Sequence, residues 1–345
     1  MGRIVSTTLL VAVLASPSLA APPPDADPGP FVRALWLVQR HGKPGSYTPD
    51  TDQALKAALA KGLKDSVLTS QEMEKWVDQD TFKKLAGDDD RLDDAEIKKA
   101  IAADVPASQA RLLPKVRSYA DLLTTSLDMI DDRHRRAGAE FAEWIAANYQ
   151  PGKPLHVTVI CTGNSRRSFL GATTGNIAAA YCGMPEVQFH SGGTAPSACN
   201  KRTIAALKAI GVEVEPTGQE APRGEPRTPN PCYRLAWGTP ARSTEEPSLE
   251  VVEFSKHYAD PTNPQKGFAA LLVCSEADEA CPTVKGAAVR VAMPYLDPKT
   301  YDDSPFEAVK YAERRDDIAR LMMSVMIQVR NRRSSGPDAS THSSR

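Results

Sequence analysis

The feature that most constrains this chain is a change of texture at QPGKP, residues 150–154. Before it, apolar residues recur at helical spacing: Leu122, Leu123, Leu127 and Ile130, then Phe141, Trp144, Ile145 and Tyr149. After it, strand-like and helix-like runs alternate. LHVTVI reads as a strand, residues 168–180 as a helix, EVQFHS as a strand, and NKRTIAALKAIG as a helix ended by Gly211. FAALLVCS and AAVRVAMPY are further strands, and a long helix over 305–329 closes the run. Alternation of this kind predicts an α/β fold, a four-stranded parallel sheet with helices on both faces. A mostly helical region precedes it. Residues 213–252 interrupt the pattern with a Pro-rich insertion in which CYRLAWG and LEVVEF read as a hairpin.

The ends read differently. Residues 1–20 have Arg3, the short apolar run LLVAVLA, and small residues at Ser18 and Ala20, the pattern of a secretory signal peptide. The run is too short to span a bilayer. The expected product is exported, periplasmic or secreted, and free of the membrane after cleavage. A Pro-rich linker over 21–30, a helical region over 31–150, a catalytic domain over 151–330 and a disordered Ser/Arg-rich tail over 331–345 complete the expected organisation. The net charge of -1 gives no pull toward nucleic acid, so any anion site must be local.

Such a site is written at VICTGNSRRSFLGA, residues 159–172. A strand ends on Cys161, turns through a short polar loop and enters a helix at Arg167. Strand–loop–helix junctions aim backbone N–H groups at one point and bind tetrahedral oxyanions. Thr162, Gly163, Asn164, Ser165, Arg166 and Arg167 are the expected cradle. Gly163 lets the backbone approach closely, Arg167 grips two oxygens with its planar fork, and Asn164 bonds neighbouring backbone to hold the loop open. The positive field favours the thiolate of Cys161, and the Ser168 hydroxyl can donate to that sulfur. Oxyanion attack by this set requires no cofactor.

The loop and the segments after it resemble the low-molecular-weight protein tyrosine phosphatase superfamily, which includes the thioredoxin-coupled arsenate reductases. The likeness covers residues 155–329 outside the insertion, and implies a flavodoxin-like sheet. SGGTAPSACNKRTIAAL is similar to the family's second strand end and following helix, and YLDPKT carries its Asp-Pro pair. By that resemblance Asp297 is the general acid of phosphomonoester hydrolysis, with phosphotyrosine as substrate. VCSEADEACP resembles the reductase segment with two resolving cysteines. It implies that Cys161 attacks arsenate, Cys274 attacks Cys161, and Cys281 passes the disulfide to an external, thioredoxin-like thiol reductant. This segment is more specific than Asp-Pro, so arsenate reduction is the leading expectation and tyrosine phosphatase activity the alternative. A catalytically silent anion-binding module is a third reading. Export raises another possibility for Cys274 and Cys281, a structural disulfide. Arg166, Ala172 and the Lys299-Thr300-Tyr301 run depart from family habits. Cys182, Cys199 and Cys232 lack a motif and read as buried or disulfide-forming.

Two further patterns lie upstream. DSVLTSQEMEK and DDRLDDAEIKK, offset by 24 residues, each resemble the second half of an EF-hand loop. Asp65, Glu72, Asp89 and Glu96 are the weak calcium-ligand candidates. Lys61 and Leu85 stand where the first aspartate ligand belongs, so acidic helix caps of EF-hand-like shape are expected ahead of real calcium binding. QRHGKPG resembles the Arg-His-Gly of histidine phosphatases, but this helical region offers only His134 as a second histidine. His41 therefore reads as a satisfied surface residue.

Overall fold

The computed structural model describes residues 27–87, 89–222, 229–244, 246–280 and 283–333. The expected leader, most of the linker, Cys281 and the tail beyond Arg333 lie outside the described residues.

Helices dominate as far as Asn148. Helix α1 (Gly29–His41) starts inside the expected linker, since a proline in the first turn lacks only an N–H that would have no partner. His41 ends it half-buried, with Nε2 unbonded and 3.9 Å from Asp104, rather than satisfied at the surface. Helices α2 (Pro49–Gly62) and α3 (Ser70–Met73) flank one loop, and α4 (Gln79–Ala86) and α5 (Asp94–Ala103) flank another. Strands β1 (Val67–Thr69) and β2 (Arg91–Asp93) join the loops antiparallel, with Leu68 opposite Leu92. Both candidate glutamates act as helix caps. Glu72 accepts from the Thr69 N–H at 3.0 Å and Glu96 from the Asp93 N–H at 2.9 Å, closing capping boxes. Asp65 and Asp89 accept from the N–H groups of Val67 and Arg91. Three more helices follow, α6 (Ala107–Ala110), α7 (Pro114–Thr124) and α8 (Asp132–Asn148).

The alternating half begins with β3 (Leu155–Cys161), α9 (Arg167–Tyr181), β4 (Val187–Gly193) and α10 (Lys201–Ala209). The insertion forms β5 (Glu213–Glu220), β6 (Pro231–Ala236) and β7 (Glu250–Glu253). Then come β8 (Phe268–Leu272), α11 (Ser275–Ala280), β9 (Ala287–Ala292) and α12 (Glu307–Arg333), which runs three residues into the expected tail. Strands β4, β3, β8 and β9 form one four-stranded, all-parallel sheet in that order, with helices around it. In the insertion β6 pairs with β7 as expected. Strand β5 adds an unforeseen third strand. Its EVEPTGQE sequence does not alternate, and a bulge between Pro216 and Glu220 takes up the irregularity.

Two glycines let α9 lie close on the sheet. A Cβ at Gly171 would come within 2.9 Å of Val159, and one at Gly175 within 2.5 Å of the Phe189 ring. Helix α12 packs against α9, α8, α7, α10 and α1. Residues 318–329 of α12 are therefore buried without a break. Among the described residues no helix is long and apolar enough to cross a membrane.

Two predictions test this packing. Gly175→Ala should destabilise the fold by about 1–3 kcal/mol through overpacking against Phe189, measured by urea unfolding. The His156 and His190 rings meet at 3.1 Å on neighbouring strands, and burial, aided by His156 and Lys256, holds His190 down at about 4. The unfolded chain, titrating near ~6.5, then binds the proton more readily, so stability falls as pH drops through this window. His190→Asn should lose about 2 kcal/mol less than wild type between pH 7 and 4.5, read from urea midpoints at both pH values.

Candidate active site

The parallel sheet delivers three segments to one edge. Cys161 ends β3 opposite Gly193 at the end of β4. Cys274 follows β8, where the Val273 N–H bonds the Ile160 carbonyl at 2.9 Å. The segment after β9 is tied in by the Tyr295 N–H to the Val273 carbonyl at 3.0 Å. The chain leaves β3 toward β4 on one side and returns to β8 on the other, so the loop after Cys161 sits where connections diverge. Ligands of open parallel sheets collect at that place.

Asn164 sets the loop's shape. It takes a left-handed φ of 40° and is fully buried. Its Oδ1 accepts from the Lys256 N–H at 2.8 Å. That fixes which end of the amide carries hydrogens, and Nδ2 donates to Ser168 Oγ at 2.8 Å and Ser191 Oγ at 2.9 Å. Asn164 thus bonds distant elements rather than the neighbouring backbone expected from sequence. Because the Ser168 hydroxyl accepts from Asn164, its own proton is free for Cys161 Sγ, 3.1 Å away. Behind this stands a buried ion pair, Lys256 Nζ to Glu253 at 2.8 Å, and Glu253 also accepts from the Ser191 hydroxyl at 3.2 Å.

The loop carbonyls are engaged on the outside. Those of Cys161, Thr162 and Gly163 accept from the N–H groups of Thr194, Ala195 and Ser197 at 2.9–3.1 Å. The Ser165 carbonyl accepts from Asn200 at 3.1 Å. In a trans peptide the N–H points opposite to the carbonyl. The N–H groups of Thr162, Gly163, Asn164 and Arg166 therefore point away from those partners. Gly193 permits this closeness, since a Cβ there would come within 2.6 Å of the Thr162 carbonyl oxygen.

A cavity of about 330 Å³ opens at this loop. Its wall gathers Cys161, Thr162, Gly163, Ser165, Arg166, Arg167 and Asp297 from the expected set. Ser197, Glu276 and Lys299 also line it; they fall in segments the sequence singled out but were given no site role there. Arg167 is buried, donating from Nη1 to the Tyr295 carbonyl at 2.9 Å and from Nη2 to Asp297 at 2.7 Å. Its Nε has no hydrogen-bond partner. Asp297 also caps the turn after it through the Lys299 N–H at 3.0 Å. Arg166 is partly engaged elsewhere, with Nε on the Tyr311 hydroxyl at 2.7 Å and Nη2 on Asp302 at 3.2 Å. Its contribution to the anion field is correspondingly smaller than the sequence suggests.

Cys274 is fully buried beside the loop, its sulfur 3.5 Å from the Thr162 hydroxyl. Burial pushes its thiol up, against the opposing pull of Thr162 and Arg167. Cys182, Cys199 and Cys232 are buried free thiols, each pushed up by burial. Asp65, Glu72, Asp89 and Glu96 take no part in the cavity wall. Among the described residues no cluster of three His, Cys, Asp or Glu side chains could hold a metal ion. Ser191 opens the SGGT run that the sequence singled out, but its supporting role was not read from it; Glu253 and Lys256, just past the insertion, belong to no motif.

Asn164→Ala removes three buried hydrogen bonds and leaves a side chain at positive φ. It should cost about 2–4 kcal/mol, measured by urea unfolding, whereas Ser191→Ala should cost less. No family model matches the chain, and no curated protein matches it.

Proposed function

We propose that this protein is a cysteine-dependent phosphomonoesterase of the low-molecular-weight protein tyrosine phosphatase superfamily, with aryl phosphates such as phosphotyrosine as its substrate class. The observation that carries this reading is the convergence of Cys161, Arg167 and Asp297 on one cavity, with Ser168 behind the sulfur. The strand order supports the flavodoxin-like assignment: counted from β3, it is second, first, third, fourth.

The phosphoryl group sits on the loop amides and the Arg167 fork. Cys161 Sγ attacks phosphorus, the ester oxygen leaves, and Asp297 protonates it. Water, deprotonated by Asp297, then attacks the phosphocysteine and releases phosphate and the thiolate, which the Ser168 hydroxyl stabilises. Arg167 pairs with Asp297 at 2.7 Å. An incoming phosphoryl group competes for that guanidinium and frees Asp297 to act as acid.

A second reading, arsenate reduction, is favoured by the closeness of Cys274 to the loop. Cys161 would attack arsenate and Cys274 would then attack Cys161. A disulfide forms as arsenic(V) leaves as arsenite, and Cys281 and an external thioredoxin-like thiol would reset the enzyme. Hydrolysis ranks first because it needs no reductant, which suits the export expected from the leader, and because burial keeps Cys274 a thiol. The paired loops of the N-terminal region are read as a structural unit, their glutamates capping helices, rather than a calcium site.

Steady-state kinetics with p-nitrophenyl phosphate test the first reading. Cys161→Ser should abolish turnover, and Asp297→Asn should lower kcat by about 10²–10⁴-fold. Wild type without measurable hydrolysis would reject it. Cys274→Ser should leave hydrolysis intact, and if arsenate with a thiol donor is turned over, that variant should lose the reduction alone.

A further inference from the structure

Five charged side chains line the candidate active-site cavity: Arg166, Arg167, Glu276, Asp297 and Lys299. Three are committed. Arg167 and Asp297 hold each other at 2.7 Å, and Arg166 is bonded to Tyr311 and Asp302. The other two are open. The Glu276 side chain is 66% exposed, and the cation that comes within 4 Å of it, Arg167 Nη1, stands at 3.8 Å, beyond hydrogen-bond reach. Lys299 is exposed, and its ammonium has no hydrogen-bond or ion-pair partner among the described residues; only its backbone N–H is bonded, to Asp297.

These open charges have opposite signs and lie on different flanks. Glu276 belongs to α11, which follows β8, and Lys299 to the turn that follows the edge strand β9. Arg167 stands between them. Its Nη1 is the arm near Glu276, while Nη2 bonds Asp297, whose other oxygen takes the Lys299 N–H. Farther along the turn, Asp302, Asp303 and Glu307 are engaged by Arg166 and Arg202. A phosphoryl group gripped by Arg167 therefore has an open carboxylate on one side and an open ammonium on the other. Both are reached from solvent, where the residues flanking a phosphorylated tyrosine would lie.

Resting on the phosphotyrosine reading above, we propose that the mouth of this cavity selects a polypeptide substrate by charge order. An acidic residue on one side of the phosphotyrosine meets Lys299, and a basic residue on the other side meets Glu276. Net charge is not what is read. A segment with the two charges exchanged has the same composition but sets like against like at both places.

The test uses the full chain carrying Cys161→Ser, which holds a phosphopeptide without turning it over. Two fluorescein-labelled peptides of one composition, Glu-Glu-phosphotyrosine-Lys-Lys and Lys-Lys-phosphotyrosine-Glu-Glu, are titrated by fluorescence anisotropy at constant ionic strength. One order should bind about five-fold or more tighter than the other. Glu276→Gln and Lys299→Gln should each shrink that ratio. The double exchange, Glu276→Lys with Lys299→Glu, should invert it; both positions are exposed, so the fold is retained. Equal binding of the two orders, or a preference that the double exchange leaves in place, overturns the proposal. Wild-type hydrolysis of p-nitrophenyl phosphate, which carries neither flank, is measured alongside. A chain that hydrolyses it but binds both orders equally keeps the phosphatase reading and loses this one, and a chain that neither hydrolyses it nor binds either peptide loses both.

Discussion

One buried amide organises the site. Asn164 holds a backbone twist that side chains rarely adopt, and three hydrogen bonds to three separate segments keep it there. A left-handed residue outside glycine is costly unless its surroundings over-determine it. Here the surroundings do so through Ser168 on α9, Ser191 on β4 and the Lys256 backbone after the insertion. The same bonds set the direction of the Ser168 proton toward Cys161. Loop shape and the environment of the sulfur therefore have a common cause.

The charges follow a related logic. Lys256 and Glu253 are both buried, and each compensates the other at 2.8 Å. Breaking one side would leave an unpaired ion in the interior, which is far costlier than never having placed the pair. Arg167 and Asp297 form a more accessible pair at the cavity, with Asp297 about 30% exposed. An anion from solvent can compete for Arg167 there, whereas the Lys256–Glu253 pair behind the loop is closed off. Rigid support and an exchangeable contact thus sit on opposite sides of the same loop.

Much of this was legible in the residues. The alternation after residue 154 marked all four parallel strands and the helices α9 and α10, because buried parallel strands read as short apolar runs; the short α11 between β8 and β9 was not read. The cysteine-to-arginine loop was legible because its chemistry is local in sequence. Lys256 and Glu253 were invisible, since their role depends on where a Pro-rich insertion returns to the sheet. Strand β5 was missed because its backbone pairing, not its composition, makes it a strand. The linker boundary failed at Gly29 and Pro30, where proline suits a helix start as well as a loop. The family likeness implied that Cys274 lies beside Cys161, but neither its contact with the Thr162 hydroxyl nor its complete burial.

Helix α12 has a broader consequence. Its central three turns are wrapped on every side, by α9 next to the sheet and by α1, α7 and α8 from the N-terminal region. Met322, Met323, Val325, Met326 and Ile327 have no solvent-facing stripe among them. The upstream helices are thus not an appendage on a self-sufficient α/β core. Severing them would strip an oily column bare in water, so the two halves should unfold together.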